Sequence, residues 1–239
     1  MLEEINDNLQ QQIEAYFKEW FIYFSPFGGE KPEFMKEVFL DDICEVVTKG
    51  TTPTTLKRSF TTGGINFIKA ESILENHCFD FKKFSFIDDE TNRLLKRSII
   101  NENDILFTIA GTLGRFALVS RSILPANTNQ AVAIIRYNKE KINPYYLYSF
   151  FLGNWHETYY TQRVQQAVQA NLSLTTIKSL PILTMDADNM NKYTSIISPM
   201  IKSMLLVRQE NNALTDLRDT LLPKLMSGEI DASNIKLDL

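Results

Sequence analysis

Cysteine is scarce in this chain. Cys44 and Cys78 are the only two in 239 residues, with no CxxC spacing. That excludes a disulfide-stapled scaffold and a thiolate zinc site, and makes a reducing cytoplasm the expected compartment. Histidine is as rare: His77 and His156 lie far apart, outside any ligand-spaced cluster, so no metal site is expected. No apolar run approaches the ~20 residues that a membrane span needs. The acidic, amphipathic opening is the opposite of a signal peptide's basic start. There is no GxSxG, HExxH or P-loop, so no catalytic residue is assigned. Internal repeats and low-complexity segments are also missing. Asp88-Asp89-Glu90 reads as a solvated acidic loop rather than a cation site.

What is present is a long helical stripe near the C-terminus. Tyr193, Ile197, Met200, Met204, Val207, Asn211, Leu214, Arg218, Leu221 and Leu225 alternate at spacings of four and three, and all but Asn211 and Arg218 are apolar. Such spacing predicts a coiled-coil seam in a helix over 188–226, with Ile197, Met204, Val207, Asn211, Leu214 and Leu221 as pairing residues. Asn211 would fix the register, since a polar residue in a seam costs stability but rejects slipped pairings. From Asp188 to Leu222 alone the rod would be ~50 Å long. Globular helices usually run ~10–14 residues, so a rod of this length implies a partner or a spacer. A matching helix is predicted within 1–24, where Leu2, Ile5, Leu9, Ile13, Tyr16, Phe17 and Trp20 share one face. Ser25-Pro26-Phe27-Gly28-Gly29 ends it. The plainer alternative is that both helices only cap the middle domain.

That middle, 36–185, reads as α+β. Short β-branched and aromatic runs at Ile65–Ile68, Asp104–Ile109, Phe116–Val119 and Ala131–Ile135 predict strands. Helical stretches fall near Tyr145–Leu152 and Glu157–Gln169. The order is irregular, unlike a βαβ repeat. Residues 227–239 read as a tail. Net charge is −4 overall, but 36–185 carry 17 Lys and Arg against 14 Asp and Glu, and the rest 8 against 15. A mildly basic middle between acidic helices permits nucleic-acid binding through a local patch without requiring it.

Candidate contacts follow from residue type. The loop Lys49-Gly50-Thr51-Thr52-Pro53-Thr54-Thr55 is rich in hydroxyls and runs into Lys57, Arg58 and Ser59. Hydroxyls beside basic groups suit phosphates and base edges. Thr52, Thr54, Lys57, Arg58, Lys69, Ser72 and Arg115 are the first candidates for DNA contact, followed by Asn129 and Gln130, which also suit turns. Gly111-Thr112-Leu113-Gly114 reads as a tight turn delivering Arg115. Asn143-Pro144-Tyr145-Tyr146 is close to the Asn-Pro-Pro-Tyr signature of adenine-N6 methyltransferases, but the second Pro is missing. No glycine-rich strand-to-helix turn for S-adenosylmethionine precedes it, and Pro144 with Asn143 reads better as a capped helix start.

Taken together these segments resemble the specificity (S) subunit of type I restriction–modification systems. Ile5-Asn6-Asp7-Asn8-Leu9-Gln10-Gln11-Gln12 through Phe17-Lys18 and Trp20-Phe21 is similar to the family's central helix region. Gly50-Thr51-Thr52-Pro53, Ile65 to Lys69, Asp104-Ile105-Leu106-Phe107, Gly111 to Gly114 and Asn129-Gln130 follow in the order of a target recognition domain. Leu217-Arg218-Asp219 to Leu225-Met226-Ser227-Gly228-Glu229-Ile230 resembles the end of the long helix. The resemblance implies a non-catalytic reader of double-stranded DNA. Its helices would dock a methyltransferase (M) subunit that carries the S-adenosylmethionine, and it leaves open whether a nuclease (R) subunit joins. The usual member has two recognition domains, one for each half of a bipartite site; this chain resembles half of one. A homodimer reading an inverted repeat, a silent partial copy and a trimmed form all fit. Two other readings stay open: a stand-alone adenine methyltransferase, and a coiled-coil assembly protein without DNA affinity.

Overall fold

The β-forming runs are apolar at consecutive positions rather than alternating ones. A strand built that way must bury both faces. The computed structural model, which describes residues 2–164 and 171–230, shows how that is met. Its elements are α1 (Leu2–Phe21), β1 (Lys36–Phe39), α2 (Leu40–Ile43), β2 (Cys44–Lys49), β3 (Ile65–Ile68), β4 (Ser85–Ile87), α3 (Asp89–Leu94), β5 (Ile99–Ile100) and β6 (Ile105–Thr108). Then come β7 (Phe116–Leu118), β8 (Ala126–Thr128), β9 (Val132–Tyr137), α4 (Pro144–Leu152), α5 (Trp155–Val164), α6 (Leu174–Lys178), β10 (Pro181–Thr184) and α7 (Ala187–Met226).

A four-stranded antiparallel sheet runs β2-β9-β6-β7, with Leu106 opposite both Ile134 and Ala117. A second, mixed sheet runs β4-β3-β8-β5, its β3–β8 pair parallel. Side chains alternate across a strand, so the first sheet feeds two cores. Ile105, Phe107, Phe116, Leu118, Ala133 and Ile135 point to the helices. Leu106, Ala117, Val132 and Ile134 point the other way, against Ile68, Ile73, Ile100 and Ala126 around the second sheet. The two sheets are also pinned by a buried ion pair. Arg136 on β9 donates to Asp104 (Nε–Oδ1 2.9 Å, Nη2–Oδ2 2.7 Å) and to the Ile99 carbonyl on β5 (3.0 Å). Burial pushes the Asp104 carboxyl above its ordinary value, against the pull of Arg136. β1 pairs with β10, Lys36 opposite Thr184 and Phe39 opposite Pro181.

The α+β expectation and the four strand runs agree with these elements. The helix expected near Glu157–Gln169 starts earlier, at Trp155; residues 165–169 of it, and 231–239 of the tail, lie outside the described residues.

α1 and α7 lie side by side and antiparallel. Tyr193, early in α7, sits against the late α1 residues Tyr16, Trp20 and Phe21 at ring-centroid distances of 5.3, 5.4 and 5.0 Å. Arg208 reaches the early α1 residues Asn6 (3.1 Å) and Gln10 (2.9 Å). α4 completes the cluster. The Tyr193 hydroxyl donates to Ser149 Oγ (2.9 Å), which donates to the Tyr146 carbonyl (2.7 Å). Phe17 packs on Phe21 and Phe150, and on bare Gly153, where a Cβ would stand 2.3 Å from the Phe17 ring.

The seam differs from its sequence reading in two ways. The buried stripe of α7 runs Tyr193, Ile197, Ile201, Met204 and Arg208, while Met200 and Val207 are only half-buried. That is the drift of a straight helix at 3.6 residues per turn, which leaves a strict heptad within a few turns. The polar residue inside the seam is therefore Arg208, 4% exposed, and not the half-buried Asn211. Leu214 and Leu221, expected as pairing residues, are exposed; the distal part of α7 passes the start of α1 with Leu214, Leu217, Leu221, Leu222, Leu225 and Met226 uncovered. Its recorded ion pairs with the body are Lys82 to Asp216 (3.2 Å) and Asp219 (3.0 Å).

Replacing Phe17 by Ala should cost about 3–5 kcal/mol in urea unfolding. A loss below ~1 kcal/mol would show that α1 is not integral to the fold.

Candidate nucleic-acid interface

The hydroxyl-rich loop leaves β2 at Gly50 and is held by its own backbone. Gly50 N donates to the Asn129 carbonyl (3.1 Å), so loop and β8–β9 turn lie in contact. The approach is so close that a Cβ on Gly50 would fall 1.9 Å from the Thr128 carbonyl oxygen. Pro53 is buried and starts a 3-10 turn that ends at Lys57, in the left-handed region at φ 56°. Arg58 N then returns to the Pro53 carbonyl (3.1 Å).

Several expected residues meet here. Thr52 Oγ1 donates to Gln130 Oε1 across the contact. Thr54 and Lys57 are exposed on the same turn. Asn129 is half-buried and works for the turn, its Oδ1 accepting from Ala131 N (3.1 Å). Arg58 is tied to α3 by two hydrogen bonds to Glu90, one of 3.1 Å, which raises its already high pKa. Lys69 sits with its Nζ 4.8 Å above the Phe60 ring centroid.

Two expected contacts belong elsewhere. Ser72 is fully buried and donates to the Lys83 carbonyl (3.1 Å), so it holds the chain and cannot meet a ligand at the surface. Arg115 does follow a tight turn, with Gly111 and Gly114 at φ 77° and 85°. Its guanidinium, however, is engaged by the Ile73 carbonyl (3.3 Å) and by Glu75 (2.6 Å). Beside it, His77 stacks on Phe116 at 3.9 Å and His156 is buried. Burial lowers both imidazoles to about 3, with the Arg208 charge adding to the effect at His77, so neither carries a proton near neutrality.

Sequence reasoning passed over Arg97. It lies in the 3-10 turn Lys96–Ser98, exposed, and its Nη2 donates to Thr51 Oγ1 (3.3 Å). The available signal was a repeated tripeptide: Lys96-Arg97-Ser98 matches Lys57-Arg58-Ser59. It went unread because Arg97 and Thr51, 46 positions apart, meet only in the fold.

The side chains of the methyltransferase-like segment are taken up by the fold itself. Asn143 Oδ1 caps α4 by accepting from Tyr145 N (2.9 Å), and the Tyr146 hydroxyl is buried against the Leu183 carbonyl (2.7 Å). Among the described residues, no group of three His, Cys, Asp or Glu is placed to hold a metal ion, and no helix is long and apolar enough to cross a membrane.

Residues 32–216 match the family described as the type I restriction modification DNA specificity domain. The chain belongs to that family. It is 24% identical over 236 residues to the type I restriction enzyme MjaIX specificity subunit of Methanocaldococcus jannaschii, covering 94% of this chain and 54% of that protein. It is 26% identical over 175 residues to the EcoBI specificity subunit of Escherichia coli, covering 71% and 36%. The chain thus spans about half the length, or less, of these curated relatives. In fold it resembles the type I S subunit from M. genitalium, with a TM-score of 0.64, 18% identity and 94% and 55% coverage. It also resembles the HsdS subunit from Thermoanaerobacter tengcongensis, with a TM-score of 0.55, 12% identity and 96% and 53% coverage.

Gly50→Ala should destabilise the protein by about 1–3 kcal/mol, because two backbones must part to admit the methyl group. An unchanged thermal midpoint would show that the loop is not clamped to the 129–130 turn.

Proposed function

We propose that this chain is a non-catalytic DNA-reading subunit. In this reading it directs a type I adenine methyltransferase to a bipartite site and works as a homodimer. The observation that carries it is the clamped loop of Gly50 to Arg58, which with the adjoining Gln130 presents hydroxyl, amide and cationic side chains together at the surface of a chain of the specificity-domain family. Lys57 would meet a phosphate, a contact that orients the protein and depends on salt, while Arg58 is held by Glu90. Thr52, Thr54 and Gln130 would face base edges. Residues 36–185 form the recognition domain in this reading, which the β1–β10 pairing at its two ends supports.

Chemistry lies in the partner. The methyltransferase subunit would bring the S-adenosylmethionine and take the adenine out of the duplex. This chain would supply the address. A stand-alone methyltransferase is disfavoured by the capping role of Asn143 and the burial of Tyr146.

Self-association is supported by the distal half of α7. Leu214 is 47% exposed and Met226 81%, in a row with Leu217, Leu221, Leu222 and Leu225. A row of that kind on one helix is a self-complementary surface, and two-fold pairing is the commonest closed arrangement. Two copies would set two identical domains at opposite ends of paired helices, so the target would be an inverted repeat.

Adenine methylation mapped across DNA from cells co-expressing this chain with its methyltransferase subunit should reveal a bipartite inverted repeat. A methylated site with two unlike halves would exclude the homodimer, and an absence of any motif with both proteins soluble would exclude the reader. Leu214→Asp should shift the sedimenting species of the isolated chain from dimer to monomer; a variant that sediments as wild type would remove the distal helix from the interface.

A further inference from the structure

We infer that Arg97 is a specificity-determining residue that reads a guanine in the target; the inference rests on the DNA-reading function proposed above. Four observations carry it. First, Arg97 is exposed, and among the described residues its guanidinium meets the neutral Thr51 hydroxyl alone, through one nitrogen at 3.3 Å. Arg93, on α3, donates its Nε to the Asp89 carbonyl (3.2 Å), while Arg58, Arg115 and Arg136 are engaged by carboxylates, those of Glu90, Glu75 and Asp104. A guanidinium held that way has little of its donor fork left for an incoming base, whereas Arg97 keeps most of its five donors.

Second, the backbone under Arg97 is clamped on both sides by buried groups. The Leu95 carbonyl, just before the turn, accepts from Ser98 Oγ (3.2 Å) and from Asn127 Nδ2 (3.2 Å). The Ile99 carbonyl, just after it, accepts from Arg136 Nη2 (3.0 Å). Asn127 and Ser98 are themselves buried. A long side chain on a rigid base loses less freedom on binding than one on a loose loop.

Third, its neighbour Thr51 adjoins Thr52, which bonds Gln130, and Gly50 fixes both threonines against the Thr128–Asn129 backbone. A forked cation is thereby set beside a carboxamide and hydroxyls. Fourth, this combination matches the acceptor pattern of a guanine edge, O6 and N7, which arginine meets with two parallel hydrogen bonds. A phosphate contact needs charge alone, and the exposed Lys57 on the adjoining turn supplies that.

The experiment compares methylation motifs of the full enzyme carrying wild-type chain, Arg97→Ala or Arg97→Lys. The wild-type motif should contain a guanine in each half-site. Arg97→Ala should relax that one position, lowering discrimination there roughly 10- to 100-fold while the other positions hold. Arg97→Lys should relax the same position, since lysine keeps the charge without the planar fork. Both variants should unfold at the wild-type temperature because the side chain is exposed. Three results would overturn the inference: a wild-type motif without guanine, an unaltered motif in Arg97→Ala, or a uniform weakening at all sites that Arg97→Lys restores. A wild-type enzyme that methylates no motif would instead overturn the DNA-reading function itself, and this inference with it.

Discussion

The two-sided burial of the β2-β9-β6-β7 sheet governs this molecule. Its strands carry apolar side chains on both faces, so neither face can meet water without a large hydrophobic penalty. One face is covered by α1, α4, α5 and α7, the other by the second sheet. Once both covers are in place, the edges and turns of the two sheets are the parts left for recognition. The buried Arg136–Asp104 pair then ties the sheets in one relative position, because the bidentate contact and the bond to Ile99 tolerate little sliding.

The helices serve the same constraint and exceed it. The aromatic cluster of Tyr16, Phe17, Trp20, Phe21, Phe150 and Tyr193 shuts the helical core. It accounts for about the first half of α7. At the buried end of that contact stands Arg208, hydrogen-bonded to the side-chain amides of Asn6 and Gln10. Removing either amide would leave a buried charge under-satisfied, so the pair sets the register of the two helices more firmly than apolar contacts would. Beyond it α7 carries its leucines at the surface, where the proposed second copy would pack.

The proposed recognition surface is built on backbone that cannot move freely. Gly50 is required by the approach of Thr128, and the 96–98 turn is held by Asn127 and Arg136. The side chains offered to a ligand are supported by buried polar groups from strands β8 and β9. That division explains why Asn129 and Ser72, chosen as contacts for their chemistry, work inside the fold, while Arg97 stays at the surface.

The sequence alone determined some of the elements: β3, β6, β7 and β9 among the ten strands, and the longer helices α1, α4, α5 and α7. Apolar runs bounded by Gly, Asn and Pro marked the strands, and the four–three stripe marked the long helix, because side-chain periodicity is local and needs no partner to be read. Asn143-Pro144 as a helix start was legible for the same reason. Only the tertiary structure decided which face of α7 is buried, since a 3.6-residue repeat drifts off a heptad and packing selects where it is caught. Only it decided which cations are free. Whether an arginine meets Glu90, Glu75 or merely Thr51 depends on contacts between segments from 32 to 46 residues apart, and such pairings arise from chain topology, which residue type does not record.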